Sequence, residues 1–208
     1  MTRPGFSPPA GGGAGGAGGA GRGGTGTRTL AAHVGGEAGS ESEWLFGVSA
    51  LDAQVEGDEL GFTGRNRLYV ADATWKWAPQ GNFKDGGVTL RGEYLVEHRD
   101  GDVVDALDPS LDQPWDGRRA GAYIEAVYRI NRQWETGYRY DKLWADDDGP
   151  FASDFDPQRH SVMVAWMNSE FSLLRLQYAH DQPRPDGTDQ VLTLQYQVNF
   201  GAHGAHKF

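Results

Sequence analysis

Between residues 87 and 98 apolar and polar side chains alternate with a period of two. Val88, Leu90, Gly92, Tyr94 and Val96 share one parity; Thr89, Arg91, Glu93 and Glu97 share the other, which Arg99 continues. Segment 133–143 sets Trp134, Thr136, Tyr138 and Tyr140 against Glu135, Gly137, Arg139 and Asp141, and segment 66–78 sets Tyr69, Ala71, Ala73, Trp75 and Trp77 against Asp72, Thr74 and Lys76. In 190–200, Leu192, Leu194, Tyr196, Val198 and Phe200 oppose Thr193, Gln195, Gln197 and Asn199. Successive side chains of a strand point to opposite faces, so each segment predicts a strand with one apolar and one polar face. Fainter copies at 27–35, 43–55, 119–130, 158–168 and 171–180 bring the expected total to nine strands. Soluble strands average about 5–6 residues, whereas a tilted strand needs about 9–11 to cross a bilayer, and most of these segments match the longer class.

The gaps between the segments add a second signal. Read back from the C-terminus they are long at 181–188, short at 169–170, long at 145–157, short at 131–132, long at 99–118, short at 79–86 and long at 56–65. Barrels of the outer membrane have short turns at the periplasmic end and long loops outside. The expected fold is all-β: an antiparallel up-and-down transmembrane β-barrel over residues 26–208, with eight or nine strands in this chain. Trp75, Trp77 and Trp134 flank short turns, and Tyr138 and Tyr140 lie further along the same face. Amphipathic rings gather at the headgroup level, so these five are the candidate aromatic girdle.

Composition narrows the function. The chain carries a formal charge of −10, and residues 37–208 hold 16 basic against 29 acidic groups. Phosphate neutralisation needs a basic surface, so nucleic acid is not an expected partner. The absence of Cys excludes disulfides and thiolate metal sites. Residues 1–25 form a Gly/Ala-rich tract too poor in apolar side chains to offset its backbone entropy, and are expected to be disordered. The tract lacks the apolar run of a secretory signal. Gly, Ala, Arg and Pro are what GC-rich DNA yields in almost any frame, which points to a mis-started or shifted reading frame.

The polar parity of the strands supplies the candidate lumen lining: Asp72, Lys76, Arg91, Glu93, Glu97, Glu125, Arg129, Glu135, Arg139, Asp141 and Arg175. Such groups either set ion selectivity or close a narrow barrel with cross-strand ion pairs. Segments 99–118 and 145–157 carry Asp100, Asp102, Asp105, Asp108, Asp112 and Asp116, and Asp146, Asp147, Asp148, Asp154 and Asp156. Their carboxylates suit hard cations, but the spacing matches no full EF-hand, and a solvated polar loop is the expected reading. His203 and His206 are the candidate zinc ligands, although on a strand a spacing of three sends them to opposite faces. No enzyme is expected. Ser161 and its neighbour His160 face opposite ways on a strand, Glu93 and Glu97 are about 13 Å apart in an extended chain, and no GxSxG or P-loop is present.

Several stretches resemble one family. FTGRNRLYVADATWKWAPQGN (62–82), LRGEYLVEHRDG (90–101), FDPQRHSVMVAWMNSEFSLLRLQYAHD (155–181, with Phe155 in place of the family's Tyr) and LQYQVNFGAHGAHKF (194–208) resemble Gram-negative outer-membrane proteins labelled zinc-regulated TonB-dependent outer-membrane receptors, or porin-like proteins. The likeness runs from about His33 to Phe208 and covers the C-terminal half of such proteins, so the strands here are expected to be part of a larger barrel. It implies a bacterial outer-membrane location, lipid contact and transport or capture of a small solute, with a metal cation as the solute the label suggests. It also implies an energising inner-membrane partner, although the sequence shows no plug domain. Tyr196, Phe200 and Phe208 share one parity in the terminal segment and are the expected signal for the barrel-insertion machinery. Two other readings stay open: a structural or adhesive outer-membrane protein without a conducting lumen, and a soluble periplasmic β protein that binds a ligand.

Overall fold

The structure, a computed structural model, describes residues 26–57, 61–103, 112–144, 153–169 and 171–199. The Gly/Ala tract, His203, His206, Phe200 and Phe208 lie outside them. Among the described residues nine strands follow one another: β1 (Arg28–Ala38), β2 (Ser42–Val55), β3 (Phe62–Trp77), β4 (Gly87–Val103), β5 (Gln113–Arg129), β6 (Trp134–Trp144), β7 (Gln158–Ser169), β8 (Ser172–Arg184) and β9 (Gly187–Val198). Each pairs antiparallel with the next, giving one up-and-down sheet in chain order. The sheet is open, with β1 and β9 as its edges. Among the described residues the only helical piece is a 3-10 turn at Pro79–Gly81.

The strands run 11 to 17 residues and absorb much of what the sequence assigns to loops. The connections are 39–41, 56–61, 78–86, 104–112, 130–133, 145–157, 170–171 and 185–186, so the expected alternation of short and long is not kept. Segment 78–86 is as long as 104–112. At 181–188 the structure has a two-residue turn rather than a long loop. Pro183 and Pro185 suggest a break, yet Pro183 falls where the β8–β9 register shifts between Asp181 and Arg184, a place that tolerates a missing N–H. Pro185 and Asp186 then make the turn before Gly187, as a Pro-Asp-Gly sequence favours.

Burial is inverted relative to a water-soluble sheet. On β5, Ile124 is 59% exposed and its neighbour Glu125 is 1% exposed; on β7, Val162 is 49% exposed between Ser161 at 2% and Met163 at 4%. Side chains on one face of a single sheet are buried only if that face curls inward. The polar parity therefore lies on the inner face and the apolar parity on the outer one. Leu30, Val48, Tyr94, Tyr128, Leu176 and Leu194 belong to that outer face and are exposed. Nothing among the described residues covers it.

The inner face also holds two apolar patches. Met163, Ala165 and Leu173 cluster with Val127 and Met167 towards the end where β5 turns into β6 at 130–133. At the opposite end Phe62 is fully buried and meets Trp115 edge to face, with ring centroids 5.7 Å apart. That packing depends on two facing glycines. Gly64 pairs with Gly101, which pairs in turn with Trp115. A Cβ on Gly101 would lie 2.6 Å from the Gly64 Cα, and one on Gly64 would lie 2.9 Å from the Phe62 ring. These neighbours are backbone and a buried ring, so they cannot swing aside. Gly101→Val is expected to cost about 1–3 kcal/mol, the usual penalty for forcing volume into a packed site. The midpoint of urea unfolding, with an unchanged slope, reads it.

Candidate functional site

The register carries all eleven of the polar residues singled out by parity to the inner face. One row across the sheet runs His33, Gly47, Asp72, Glu93, Tyr123, Asp141, Arg159 and Asp181. The next row, two residues along each strand, runs Thr74, Arg91, Glu125, Arg139 and Ser161. An acid-rich row therefore lies beside an arginine-rich one. Two residues of a strand span about 6.6 Å, within reach of an arginine fork, and pairs form both along and across strands.

Most of these charges are matched. Arg91 Nη1 donates to Glu125 Oε1 at 3.0 Å, and Arg129 Nη2 donates to Glu135 Oε2 at 2.9 Å. Arg139 donates to Asp141 Oδ1 at 2.5 Å, and its guanidinium lies 3.6 Å from the centre of the Tyr123 ring. Glu97 Oε1 accepts from Arg99 at 3.0 Å and from Asn66 at 2.8 Å. Lys76 reaches Glu43 at 2.5 Å, and Arg159 pairs with Asp181. Arg175 is 6% exposed and sits opposite Ala165, whose other neighbour is Glu135. Asp72 lies 3.5 Å from the His33 imidazole, and Glu93 accepts from the Tyr123 hydroxyl at 3.5 Å. Glu125 Oε2 is buried without a hydrogen-bond partner among the described residues. Parity alone gives the face; it does not give these pairings, which depend on register.

The girdle candidates lie on the outer face. Trp75 stands opposite Trp44 and Leu90, and Trp134 stacks on Trp166 with centroids 6.2 Å apart. Trp77 donates its indole N–H to Glu41 at 3.3 Å. Trp44, Trp75, Trp77, Trp134 and Trp166 are five of the chain's seven tryptophans, and all five lie on this face beside the turns at one end of the sheet. Tyr138 and Tyr140 belong to a second aromatic group further along. The Tyr138 hydroxyl contacts His160 Nδ1 at 2.8 Å, the Tyr140 ring lies 4.8 Å from the His160 ring, and Tyr94 meets Trp144 at 6.2 Å. Trp134→Leu is expected to lose the stacked pair and about 0.5–1.5 kcal/mol, as a lower melting temperature. Tyr196 is exposed on the outer face of β9.

An open cavity of about 420 Å³ lies on the inner face at the tryptophan end. Lys84, Arg129, Arg132, Gln133, Glu135 and Asn168 are among its lining residues, with Met167 and Leu173 as apolar surface. Lys84 comes from the 78–86 connection, which Glu41 clamps: the Ala78 N–H donates to the Glu41 carbonyl at 2.9 Å and the Gln80 N–H to Glu41 Oε1 at 2.8 Å. Asp85 ties it to the next turn through Arg132 at 2.7 Å, and this hydrogen bond raises the Arg132 guanidinium above its ordinary pKa. No group of three or more His, Asp or Glu side chains is placed to hold a metal ion among the described residues. Of the acidic loop residues, Asp100, Asp102 and Asp116 lie in strands, and Asp156 pairs with Lys142 at 3.3 Å.

No protein-family model matches the chain. It is similar to an uncharacterized protein of Aquifex aeolicus (strain VF5), with 26% identity over 163 residues, covering 74% of this chain and 33% of that protein. The chain thus spans about a third of the length of the relative it matches.

Proposed function

We propose that this chain forms part of a β-barrel of a bacterial outer membrane, with lipid on its apolar face and a solute path along its polar one. The carrying observation is the burial inversion at adjacent residues, with Ile124 in the open and Glu125 enclosed. In water that arrangement leaves apolar area unburied and costs desolvation of charge; against hydrocarbon it is the favourable one. Strands of 11 to 17 residues are long enough to span, and the five tryptophans at one end suit a headgroup interface. Barrel-insertion machinery and lipid are the partners this reading needs, and an energising inner-membrane partner belongs only to its TonB-dependent version.

The open edges bear on closure. In lipid an unpaired edge leaves N–H and C=O groups without water. Because β1 and β9 run the same way, nine strands alone would need a parallel seam. The reading therefore includes further strands, as a protein three times as long could supply. A second reading, a barrel without a conducting lumen, is favoured by the inner-face ion pairs.

Membrane fractionation tests location, and gel migration that differs between heated and unheated samples tests the barrel. Recovery in the soluble fraction without detergent would overturn both readings. Discrete conductance steps in planar bilayers favour the solute path, and silence favours the closed form.

A further inference from the structure

We propose that the cavity at the tryptophan end of the inner face binds a small solute through an anionic group, a carboxylate or a phosphate. The proposal rests on the reading of that face as a solute path, and it reverses the charge of the solute that the family resemblance suggests.

The lining supports this in three ways. First, its charged side chains are three donor-only groups, Lys84, Arg129 and Arg132, against one acceptor-only group, Glu135, in a chain whose formal charge is −10. Second, the pairings leave cationic capacity over. Glu135 takes Nη2 of Arg129, whose Nη1 lies 3.5 Å from the Met167 sulfur, and Asp85 takes only Nε of Arg132, leaving the terminal nitrogens of that fork without a partner among the described residues. The Lys84 ammonium has no ion-pair partner among the described residues. Third, Lys84 is held in place. Its backbone N–H donates to Asn82 Oδ1 at 3.0 Å, and the Glu41 and Asp85 contacts fix the connection on both sides. A planar fork and an ammonium converging on one space are the usual means of holding a carboxylate or phosphate. A volume of about 420 Å³ falls in the range of small-molecule sites, and Met167 and Leu173 offer a short hydrocarbon portion an apolar surface.

The test is calorimetric titration of the full chain in detergent micelles with succinate, with inorganic phosphate and, as a neutral solute, with glucose. Succinate or phosphate is expected to bind and glucose is not; whichever anion gives the tighter binding identifies the group. Lys84→Gln and Arg132→Gln are each expected to weaken binding at least tenfold. Arg65→Gln, at the opposite end of β3 and paired with Asp52, should bind as the parent does. Silence with both anions from a folded, heat-modifiable parent would overturn the proposal, as would unchanged affinity in both cavity variants or equal binding of glucose. Failure of the membrane reading shows itself separately, as a soluble protein without heat modifiability, whatever the titration gives.

Discussion

Replacing Ile124 with Arg is expected to destabilise the membrane-inserted protein by about 2–4 kcal/mol and to lower its yield in the membrane fraction, whereas the same change in a water-exposed sheet would cost within about 0.5 kcal/mol. Ile124 sits midway along the outer-face positions Ala120, Ala122, Ala126 and Tyr128 of β5, so in a bilayer its side chain would lie near the midplane. At 59% exposure it has few protein contacts to lose, and packing loss cannot produce the larger value. The predicted effect comes from the solvent alone. Unfolding in urea from lipid vesicles and from micelles measures it, with Phe46→Arg on β2, in the same register row as Ile124, as a second exposed outer-face position. Near-parent stability for both in vesicles would mean that water, and not hydrocarbon, meets this face. A charge near the interface costs less, about 0–1 kcal/mol, so Trp77→Arg at the end of β3 should fall well below Ile124→Arg.

How much of this was legible in the sequence depends on the distance each feature spans. Alternation is a property of one strand, and it gives the two faces of β3, β4, β6 and β9 from their own residues. The register is not local. Nothing in 87–98 says that Arg91 meets Glu125, because that pairing is fixed by the connection between β4 and β5, much of which reads as loop. For the same reason Phe62 and Trp115 escape notice. Each stands in a stretch with Gly and Asp neighbours that lowers the strand signal, and only the pairing of Gly64 with Gly101 shows what leaves room for the Phe62 ring. Trp44 and Trp166 carry a signal available earlier, since both flank short gaps on the apolar parity, as Trp75 and Trp134 do. The 181–188 segment departs from the expected loop for a different reason. Proline is a reliable mark of a break in a central strand, yet at a bulge it costs no ladder hydrogen bond, and parity alone does not place a bulge. The cavity is the least legible feature, because its lining comes from several strands and turns and from a lysine in a connection with no alternation.

Glu125→Ala is expected to lower stability by about 3 kcal/mol, the lower part of the cost of breaking a buried ion pair. The carboxylate is enclosed, and its Oε1 is the acceptor for Arg91; across the strand stands Arg139, which has Asp141 and the Tyr123 ring as well. Removing Glu125 therefore strands Arg91 far more than Arg139. Arg91→Ala should be similarly costly, because it leaves the buried carboxylate alone, and the double variant should recover part of the loss. The measurement is a double-mutant cycle of unfolding free energies in micelles. Additivity would show that the two side chains do not act as a pair. Glu43→Ala is the comparison: its pair with Lys76 is largely exposed, worth about 0–1 kcal/mol, and weakened by salt, while the Glu125 effect should persist at high salt. The same variants separate the two functional readings. In a conducting lumen the loss of Glu125 beside Arg91 and Arg139 should shift reversal potentials towards anions, since the ring's local charge sets selectivity. In a barrel closed by its ion pairs the parent is silent, and Glu125→Ala either stays silent or opens a leak where the pairs had filled the space.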